Sequence, residues 1–559
     1  MGRTALACDA CRERKRKCDG HQPVCKACRN YGSPCLYGRE SHRKRKKYWD
    51  RDYVQSLENQ VRILSTQTAT NRHEDNESTE SVCDPTTSRA TDTTGANLCL
   101  SPRALTEFTS LTWPKYPGFS DEPIFVGPGC FNNPFGKSLV AFEIPAVEID
   151  SRETVTVSHL SQDAELKEHL KKVFLEKINI YYNFVEEPWL QFSGLFPEND
   201  LALQFLYSTI FGIAAHCSTR TSHREAECFI NYAESLVSQC CREHPCISVL
   251  RGLVILSCYK NAVLDCSQGW IYHYMAIGMS STLNVDQSHP SPAESTKPLD
   301  MAARDTRVRT LWTLLFVDGL GTPTLGANVR MLWDMSEAPS YLSTLAPGSI
   351  STSDVAFESH CQLVRIQQNH LDPIYSPSFR NLPWGKREDL FLGAYSALTL
   401  FRQNVDPCLL LTRTSRPERS QITLWISYHA TCISLHRRYL SPADSQSAAR
   451  SQSSLYEISA AASEIARLLQ KLESLGELHM VPSFVAYHVL RAGLVHALNM
   501  TGGGKLRREA ARSLRVCVAA LETLRDHTWP VLSHHILSFF HTTMASWGVD
   551  GSMKTVPAG

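Results

Sequence analysis

Six cysteines near the amino terminus constrain this chain more than any other feature of its sequence. They lie in the stretch CDACRERKRKCDGHQPVCKACRNYGSPC, in which the pattern Cys-x2-Cys-x6-Cys occurs twice, seventeen residues apart. The cysteines of the two halves are Cys8, Cys11 and Cys18, then Cys25, Cys28 and Cys35. Two residues between the first pair allow both sulfurs to face one point across a turn. Thiolates grouped in this way are typical ligands of structural zinc.

The number of cysteines determines how many ions the cluster can hold. One Zn²⁺ takes four ligands, so a single ion would leave two of the six cysteines unused. Two ions need eight ligand positions, which six thiolates supply if two of them bridge both metals. The internal repeat predicts that the bridging pair occupies equivalent positions in the two halves. We therefore expect two Zn²⁺ per chain within residues 8–35, with His21 only a loop residue.

A run of basic residues lies between the second and the third cysteine. Residues 1–50 contain fourteen Lys/Arg and five Asp/Glu, whereas the rest of the chain has 43 basic and 51 acidic side chains. A basic end on a mildly acidic body indicates a nucleic acid as partner. The basic residues inside the cluster are Arg12, Arg14, Lys15, Arg16 and Lys17.

This combination resembles the fungal Zn2Cys6 binuclear cluster domain, the DNA-binding family that includes the yeast galactose regulator. The match has no spacing error and includes Lys15 and Pro23. The resemblance implies that Cys8 and Cys25 bridge the two metals and that Lys15 contacts a CGG triplet. Lysine can donate to guanine O6 and N7 in the major groove. The other basic residues would contact phosphates. The alternative is a purely structural zinc knot with incidental charge.

A second basic run follows the cluster in the stretch YGRESHRKRKKYWD. It is predicted to be a nuclear localisation signal, a phosphate-contacting linker, or both, and the alternative is an idle solvated charge run. We assign residues 1–40 to the zinc domain and 41–52 to this basic linker. The run consists of Arg43, Lys44, Arg45, Lys46 and Lys47.

The next segment, YVQSLENQVRILS, has apolar residues spaced three, four and three apart. This is the seam of a short coiled coil. Because isolated helices of this length are marginal in water, we expect a homodimer that forms on DNA. A lone amphipathic helix packed on the body is the alternative for 53–65. Residues 66–100 are rich in Thr, Ser and Asn and are predicted to be a disordered linker. The seam residues are Val54, Leu57, Val61 and Leu64.

The remainder of the chain is predicted to be a helical body. Residues 101–159, with many Pro, Gly and aromatic residues, indicate an irregular, partly packed segment, and helical periodicity dominates 160–559. The stretches LQFLYSTIFGIAAHC and SVLRGLVILSCYKNAV are predicted buried helices. The predicted fold is mainly α: a small two-zinc domain, a short coiled coil, a disordered linker and a large all-α regulatory domain. One apolar stripe comprises Leu166, Leu170, Val173, Phe174 and Ile178.

The body resembles the fungal-specific transcription factor domain, also called the middle homology region. The stretch RVRTLWTLLFVDGLGTPTLGAN is similar to the family's motif at Arg309, Trp312, Asp318 and Gly326. It departs from the family at Ala327-Asn328, where Arg-Pro is common. The resemblance covers roughly 160–545. It implies a nuclear regulator of RNA polymerase II genes, and it leaves open whether these belong to metabolism or to a secondary-metabolite cluster.

Other function classes receive little support. TGGGK lacks the phosphate-binding spacing and His534-His535 lacks a metalloprotease frame, so no enzyme is predicted. No secretory signal and no long apolar run is present, which favours the nucleus over a membrane. Double-stranded DNA is the expected partner, with an inducer or co-regulators left open. The rival hypothesis is a metabolite- or partner-sensing regulator whose DNA contact is secondary. Fourteen cysteines outside the cluster are interpreted as small core residues.

Overall fold

The computed structural model describes residues 7–36, 100–110, 163–186, 190, 199–285, 301–325, 339–346, 348–411, 416–440 and 448–549. The chain divides into two compact units, Met1–Thr94 and Gly95–Gly559. Within those described ranges every regular element is a helix, so the predicted mainly α fold is confirmed there. The basic linker, the coiled-coil segment and all but the last residue of the predicted disordered linker lie outside the described residues.

The described residues of the smaller unit, 7–36, form two short helices, α1 (Asp9–Glu13) and α2 (Lys26–Tyr31). Each begins one residue after the first cysteine of its half-repeat. The Asp19 carboxylate accepts a hydrogen bond from the backbone N–H of Lys26 at 3.1 Å, which satisfies a donor at the start of α2. The two ends of the described range 7–36 are joined by a hydrogen bond from the Asp9 N–H to the Leu36 carbonyl at 2.9 Å. A cis Gln22–Pro23 peptide bond lies in the loop between the halves.

The larger unit is a body of packed helices. Among the described residues, the helices are connected or extended by two π-helical turns, Leu175–Asn179 and Gln367–Leu371, and by four 3₁₀ helices, Leu342–Thr344, Pro377–Asn381, Pro407–Leu409 and Leu478–Met480. The α-helices described in this unit are α3 (Pro102–Ser110), α4 (Ala164–Phe174), α5 (Ile180–Tyr182), α6 (Leu201–His216), α7 (His223–Glu243), α8 (Ile247–Ala262), α9 (Cys266–Thr282), α10 (Met301–Leu325), α11 (Thr352–Ile366), α12 (Asp372–Tyr375), α13 (Trp384–Asn404), α14 (Arg419–Arg437), α15 (Ala448–Ser474), α16 (Phe484–Met500), α17 (Gly504–His527) and α18 (Pro530–Ser546).

The predicted buried helices are α6 and α8, and nearly all of their side chains are buried. The predicted apolar stripe lies on α4 and its π-helical extension, where Leu170, Val173, Phe174 and Ile178 are buried. The π-helical turn itself was not predictable, because it breaks the 3.6-residue period on which the prediction rests. It buries Lys177, whose ammonium donates to the Cys217 carbonyl at 2.9 Å.

The described part of the segment that was predicted to be irregular, residues 101–110, is instead the helix α3. Ser101 explains the helix start, because its hydroxyl accepts from the Ala104 N–H at 3.4 Å and a proline follows it. The helix packs on the carboxy-terminal helices through Phe108, which is fully buried. The Phe108 carbonyl accepts from Arg437 Nε at 3.0 Å. The helix is therefore part of the body.

Cysteines outside the cluster behave as small apolar residues where they are buried. Cys217 and Cys517 are buried, and burial raises the pKa of each thiol to about 12. Such thiols are protonated and unreactive at neutral pH. Among the described helices, none is both long enough and apolar enough to cross a membrane.

Candidate metal centre

The fold brings the cysteine sulfurs of the two half-repeats together. The Sγ atoms of Cys8 and Cys25 are 3.7 Å apart, and those of Cys8 and Cys28 are 3.5 Å apart. Cys11 Sγ lies 3.7 Å from Cys25 Sγ, and Cys18 Sγ lies 4.0 Å from Cys8 Sγ. Four sulfurs at Zn–S distances of about 2.3 Å around one tetrahedral ion would be about 3.8 Å from one another. The sulfur spacing therefore fits zinc ligands.

The six sulfurs form two overlapping groups of four, and within each group all ligand atoms lie within 4.8 Å of one another. One group is Cys8, Cys11, Cys18 and Cys25, and the other is Cys8, Cys25, Cys28 and Cys35. Cys8 and Cys25 belong to both groups, and they are the first cysteines of the two half-repeats. Six thiolates need this sharing to surround two tetrahedral ions.

The surroundings of the sulfurs suit thiolates that bind metal. Four cysteines, Cys8, Cys11, Cys25 and Cys28, make up the buried apolar core of this unit's described residues. Backbone N–H groups of Cys28 and Cys25 donate to the sulfurs of Cys25 and Cys35, each at 3.3 Å.

The basic run of the cluster is exposed from Arg14 to Lys17. Arg14 Nη1 donates to Ser33 Oγ at 3.0 Å, and the Arg16 guanidinium lies over the Tyr31 ring, 5.1 Å from its centroid. These two arginines are thus held against the end of α2. The side chain of Arg12, in α1, lies outside the described part of the structure. Sequence reasoning did not predict either contact, because both join residues from different halves of the repeat.

Lys15 has a left-handed backbone conformation, with φ of +48°. The equivalent residue seventeen positions later is Gly32, which has φ of +61° and ends α2. The repeated fold therefore requires a left-handed residue at this point in each half. Glycine adopts this conformation without a steric penalty, whereas lysine has one. Lys15 keeps a strained backbone conformation where the equivalent position of the other half has glycine. Such strain is commonly retained at functional sites, which is a reason to assign the Lys15 side chain a role in binding.

In the body, the motif residues around α10 hold segments of the protein together. Trp312 Nε1 donates to the Pro339 carbonyl at 2.8 Å, and Arg309 Nη2 donates to the Thr344 carbonyl at 3.2 Å. Asp318 is buried and lies 2.8 Å from His273 Nε2. The fourth motif residue, Gly326, lies outside the described residues. These contacts give the motif a structural role.

A buried ion pair crosses the body, and sequence reasoning missed it. The Arg251 guanidinium, 2% exposed, donates to both oxygens of the Glu186 carboxylate, at 2.7 and 2.9 Å. Its Nε atom donates to Thr310 Oγ1 at 2.9 Å. Burial alone would raise the pKa of Glu186, but the bonds and charge of Arg251 lower it below its ordinary value. The available signal was an arginine in the middle of the apolar run SVLRGLVILSC, which is unfavourable unless it is paired.

Comparisons with known proteins agree with this geometry. Residues 6–45 match the model of the fungal Zn(2)-Cys(6) binuclear cluster domain. Residues 172–334 match the model of the fungal specific transcription factor domain.

Among individual proteins, the transcriptional activator protein acu-15 of Neurospora crassa is 40% identical over 67 residues, which is 12% of this chain and 7% of that protein. The ABC-transporter-regulating transcription factor of Aspergillus fumigatus is 41% identical over 59 residues, 11% of this chain and 6% of the relative. The quinic acid utilization activator of Emericella nidulans is 51% identical over 35 residues, 6% of this chain and 4% of the relative. The matches thus span less than a tenth of these relatives' own length.

Proposed function

We propose that the chain is a fungal Zn2Cys6 transcription factor, a nuclear regulator of RNA polymerase II genes that binds specific DNA sequences. The observation that carries this proposal is the pair of four-sulfur groups that share Cys8 and Cys25, beside an exposed basic run. In such a unit the metal replaces an apolar core and fixes the helices that carry the basic residues.

Cys8 and Cys25, which belong to both sulfur groups, would be shared between two Zn²⁺ ions. Cys11 and Cys18 would complete one ligand set, and Cys28 and Cys35 would complete the other. The bound zinc would supply structural cross-links between the half-repeats. Groups of the chain itself also stabilise this unit. A backbone N–H donates a hydrogen bond to the Cys25 sulfur, and the Asp19 carboxylate accepts one from the backbone N–H at the start of α2.

The basic run is proposed to divide its contacts between bases and phosphates. Lys15 reads a CGG triplet. Its side chain is exposed, and its backbone has the left-handed conformation that the other half of the repeat assigns to a glycine. Arg12 and Lys17 contact phosphates, which contributes affinity without sequence preference. Arg14 and Arg16, held against the end of α2 by Ser33 and Tyr31, contact phosphates from fixed positions.

If Lys15 contacts the triplet, replacing it should change the sequence preference of DNA binding without lowering the stability of the zinc unit. In Lys15→Gly, preference for a CGG-bearing duplex over a scrambled duplex should fall about 5- to 150-fold, the equivalent of ~1–3 kcal/mol for a good base contact. The zinc unit should be as stable as before or more stable, because glycine accepts a positive φ. Fluorescence anisotropy titration of the full chain with both duplexes, at one fixed salt concentration, measures the preference.

Lys17→Ala is the matched control for this prediction. It should weaken binding to both duplexes equally and reduce the slope of log affinity against log salt by about one. The assignment is wrong if Lys15→Gly loses affinity for the two duplexes by the same factor, or if Lys17→Ala alone changes the preference.

The segments outside the described residues complete the proposal from their sequence. Val54, Leu57, Val61 and Leu64 pair two copies of the chain, so that two zinc units meet one DNA site. The basic run 43–47 directs nuclear import and contacts phosphates between the zinc unit and the paired helices. Because the seam is short, the pairing is weak in free solution and becomes tight when both units are bound to DNA.

A further inference from the structure

A small cavity lies inside the body where four long helices meet. Its lining combines residues of α8, α9 and α10 with residues of α16. It therefore joins the segment matched by the transcription factor domain model to the carboxy-terminal helices. The space open to the centres of water-sized spheres is about 50 Å³. At about 10–15 Å³ for each water, this is room for a molecule of about four or five non-hydrogen atoms.

Three residues of the lining carry a buried polar atom that has no hydrogen-bond partner among the described residues. These atoms are Ser257 Oγ, Asn261 Oδ1 and His273 Nδ1. Ser257 and His273 are each 1% exposed, so water outside the protein does not reach them. An unsatisfied buried polar atom destabilises a protein, and most native structures avoid it. Three such atoms around one cavity define a polar site that a water or a small polar molecule would satisfy.

The hydrogen-bonding character of these atoms defines the chemistry of that molecule. His273 Nε2 donates to the Asp318 carboxylate at 2.8 Å, which in a neutral imidazole leaves Nδ1 as an acceptor. Asn261 Oδ1 is also an acceptor, and the Ser257 hydroxyl can donate. A complementary molecule presents two N–H donors beside one acceptor. A primary amide has this arrangement, and the aromatic residues Tyr182, Trp270 and Phe484 also line the cavity.

We propose that this cavity binds a small neutral molecule that carries a primary amide group. Gly269 leaves room for the Asn261 side chain, because a Cβ atom there would lie 2.4 Å from Asn261 Oδ1. Occupancy would stabilise the contact between α9 and α10, because His273 joins the cavity to Asp318 of the body motif. The site is independent of the DNA-reading proposal.

Calorimetric titration of the zinc-loaded full chain with acetamide tests this site. Acetamide has four non-hydrogen atoms and two N–H donors, and N,N-dimethylacetamide is the matched probe without donors. Acetamide should bind saturably, and N,N-dimethylacetamide should not. In Asn261→Leu a buried N–H of the probe loses its acceptor, so acetamide should bind about 5- to 150-fold more weakly. Gly269→Ala, which displaces the asparagine, should weaken binding in the same way.

Three outcomes would overturn the proposal. The first is no saturable binding of acetamide to the unaltered chain. The second is an acetamide affinity in Asn261→Leu and Gly269→Ala equal to that of the unaltered chain. The third is equal binding of acetamide and N,N-dimethylacetamide. The first, combined with a higher unfolding temperature of Asn261→Leu, would mean that the cavity holds water only. If Asn261→Leu does not fold, Ser257→Ala replaces it, since it removes a donor without adding volume. DNA binding measured on the same samples should be unchanged, which separates failure of this site from failure of the zinc unit.

Discussion

Replacing Cys25 by serine is expected to remove both metal ions from the chain and to abolish sequence-specific DNA binding. Cys25 belongs to both four-sulfur groups, so its loss breaks two ligand sets at once. The described residues of this unit have no apolar core apart from the cysteines, so their fold depends on the metal. Structural zinc contributes about 10–16 kcal/mol in small zinc domains, which is more than such a unit can lose and remain folded.

Cys35→Ser is the matched control, because Cys35 belongs to one group only. Native mass spectrometry should count two zinc ions in the unaltered chain, none in Cys25→Ser and one in Cys35→Ser. Two zinc ions retained in Cys25→Ser, or equal loss in both variants, would contradict the bridged centre. A count of one ion in the unaltered chain would contradict it as well.

The second large effect is expected in the body. Arg251→Met should destabilise the body by about 3 kcal/mol, because it leaves the half-buried Glu186 carboxylate without its bidentate partner and with only Arg309, 3.3 Å away, as a neighbouring cation. Urea unfolding of the full chain, followed by tryptophan fluorescence, measures the change. The matched control is Arg467→Ala, which removes an exposed pair with Glu464 at 2.8 Å and should cost only about 0–1 kcal/mol. Zinc content should be unchanged in both variants.

The pH dependence of this difference follows from the lowered pKa of Glu186. A carboxyl whose pKa is lower in the folded state stabilises the protein above its ordinary pKa of 4.5, and this contribution is lost as the pH falls through the folded value. The difference in free energy of unfolding between the unaltered chain and Arg251→Met should therefore be largest near neutral pH and should decrease in acid. A gap no larger than that of Arg467→Ala at pH 7 would show that the ion pair is not stabilising.

The metal centre could be predicted from sequence because all of its cysteines lie close together in the chain, within residues 8–35. Cysteine spacing, the ligand number of zinc and the internal repeat together predict two ions bridged by equivalent residues. The structure places Cys8 and Cys25 in both sulfur groups, as that reasoning requires. The backbone conformation of Lys15 was missed, although its alignment with Gly32 in the repeat was a usable signal.

In the body, helical periodicity predicted the buried helices but not the polar contacts between them. Arg251 meets Glu186 and Thr310, which lie 65 and 59 residues away in the chain. A local pattern cannot pair residues at such separations. The cavity near His273 was missed for the same reason, since it exists only where α8, α9, α10 and α16 meet. The helix α3 was missed because the whole segment after residue 100 was judged by its average composition rather than by the Ser-Pro start signal at Ser101.

In vitro selection of DNA duplexes by the purified, zinc-loaded full chain tests the central claim most directly. A parallel selection with chelated protein is the control for metal dependence. Under the proposed function, two zinc units joined through 53–65 would meet the same duplex, so the zinc-loaded chain should enrich two CGG triplets at one fixed spacing. Chelated chain should enrich no sequence. The claim would be contradicted if the zinc-loaded chain retained duplexes without regard to their sequence, or if the same sequences were enriched after the zinc was removed.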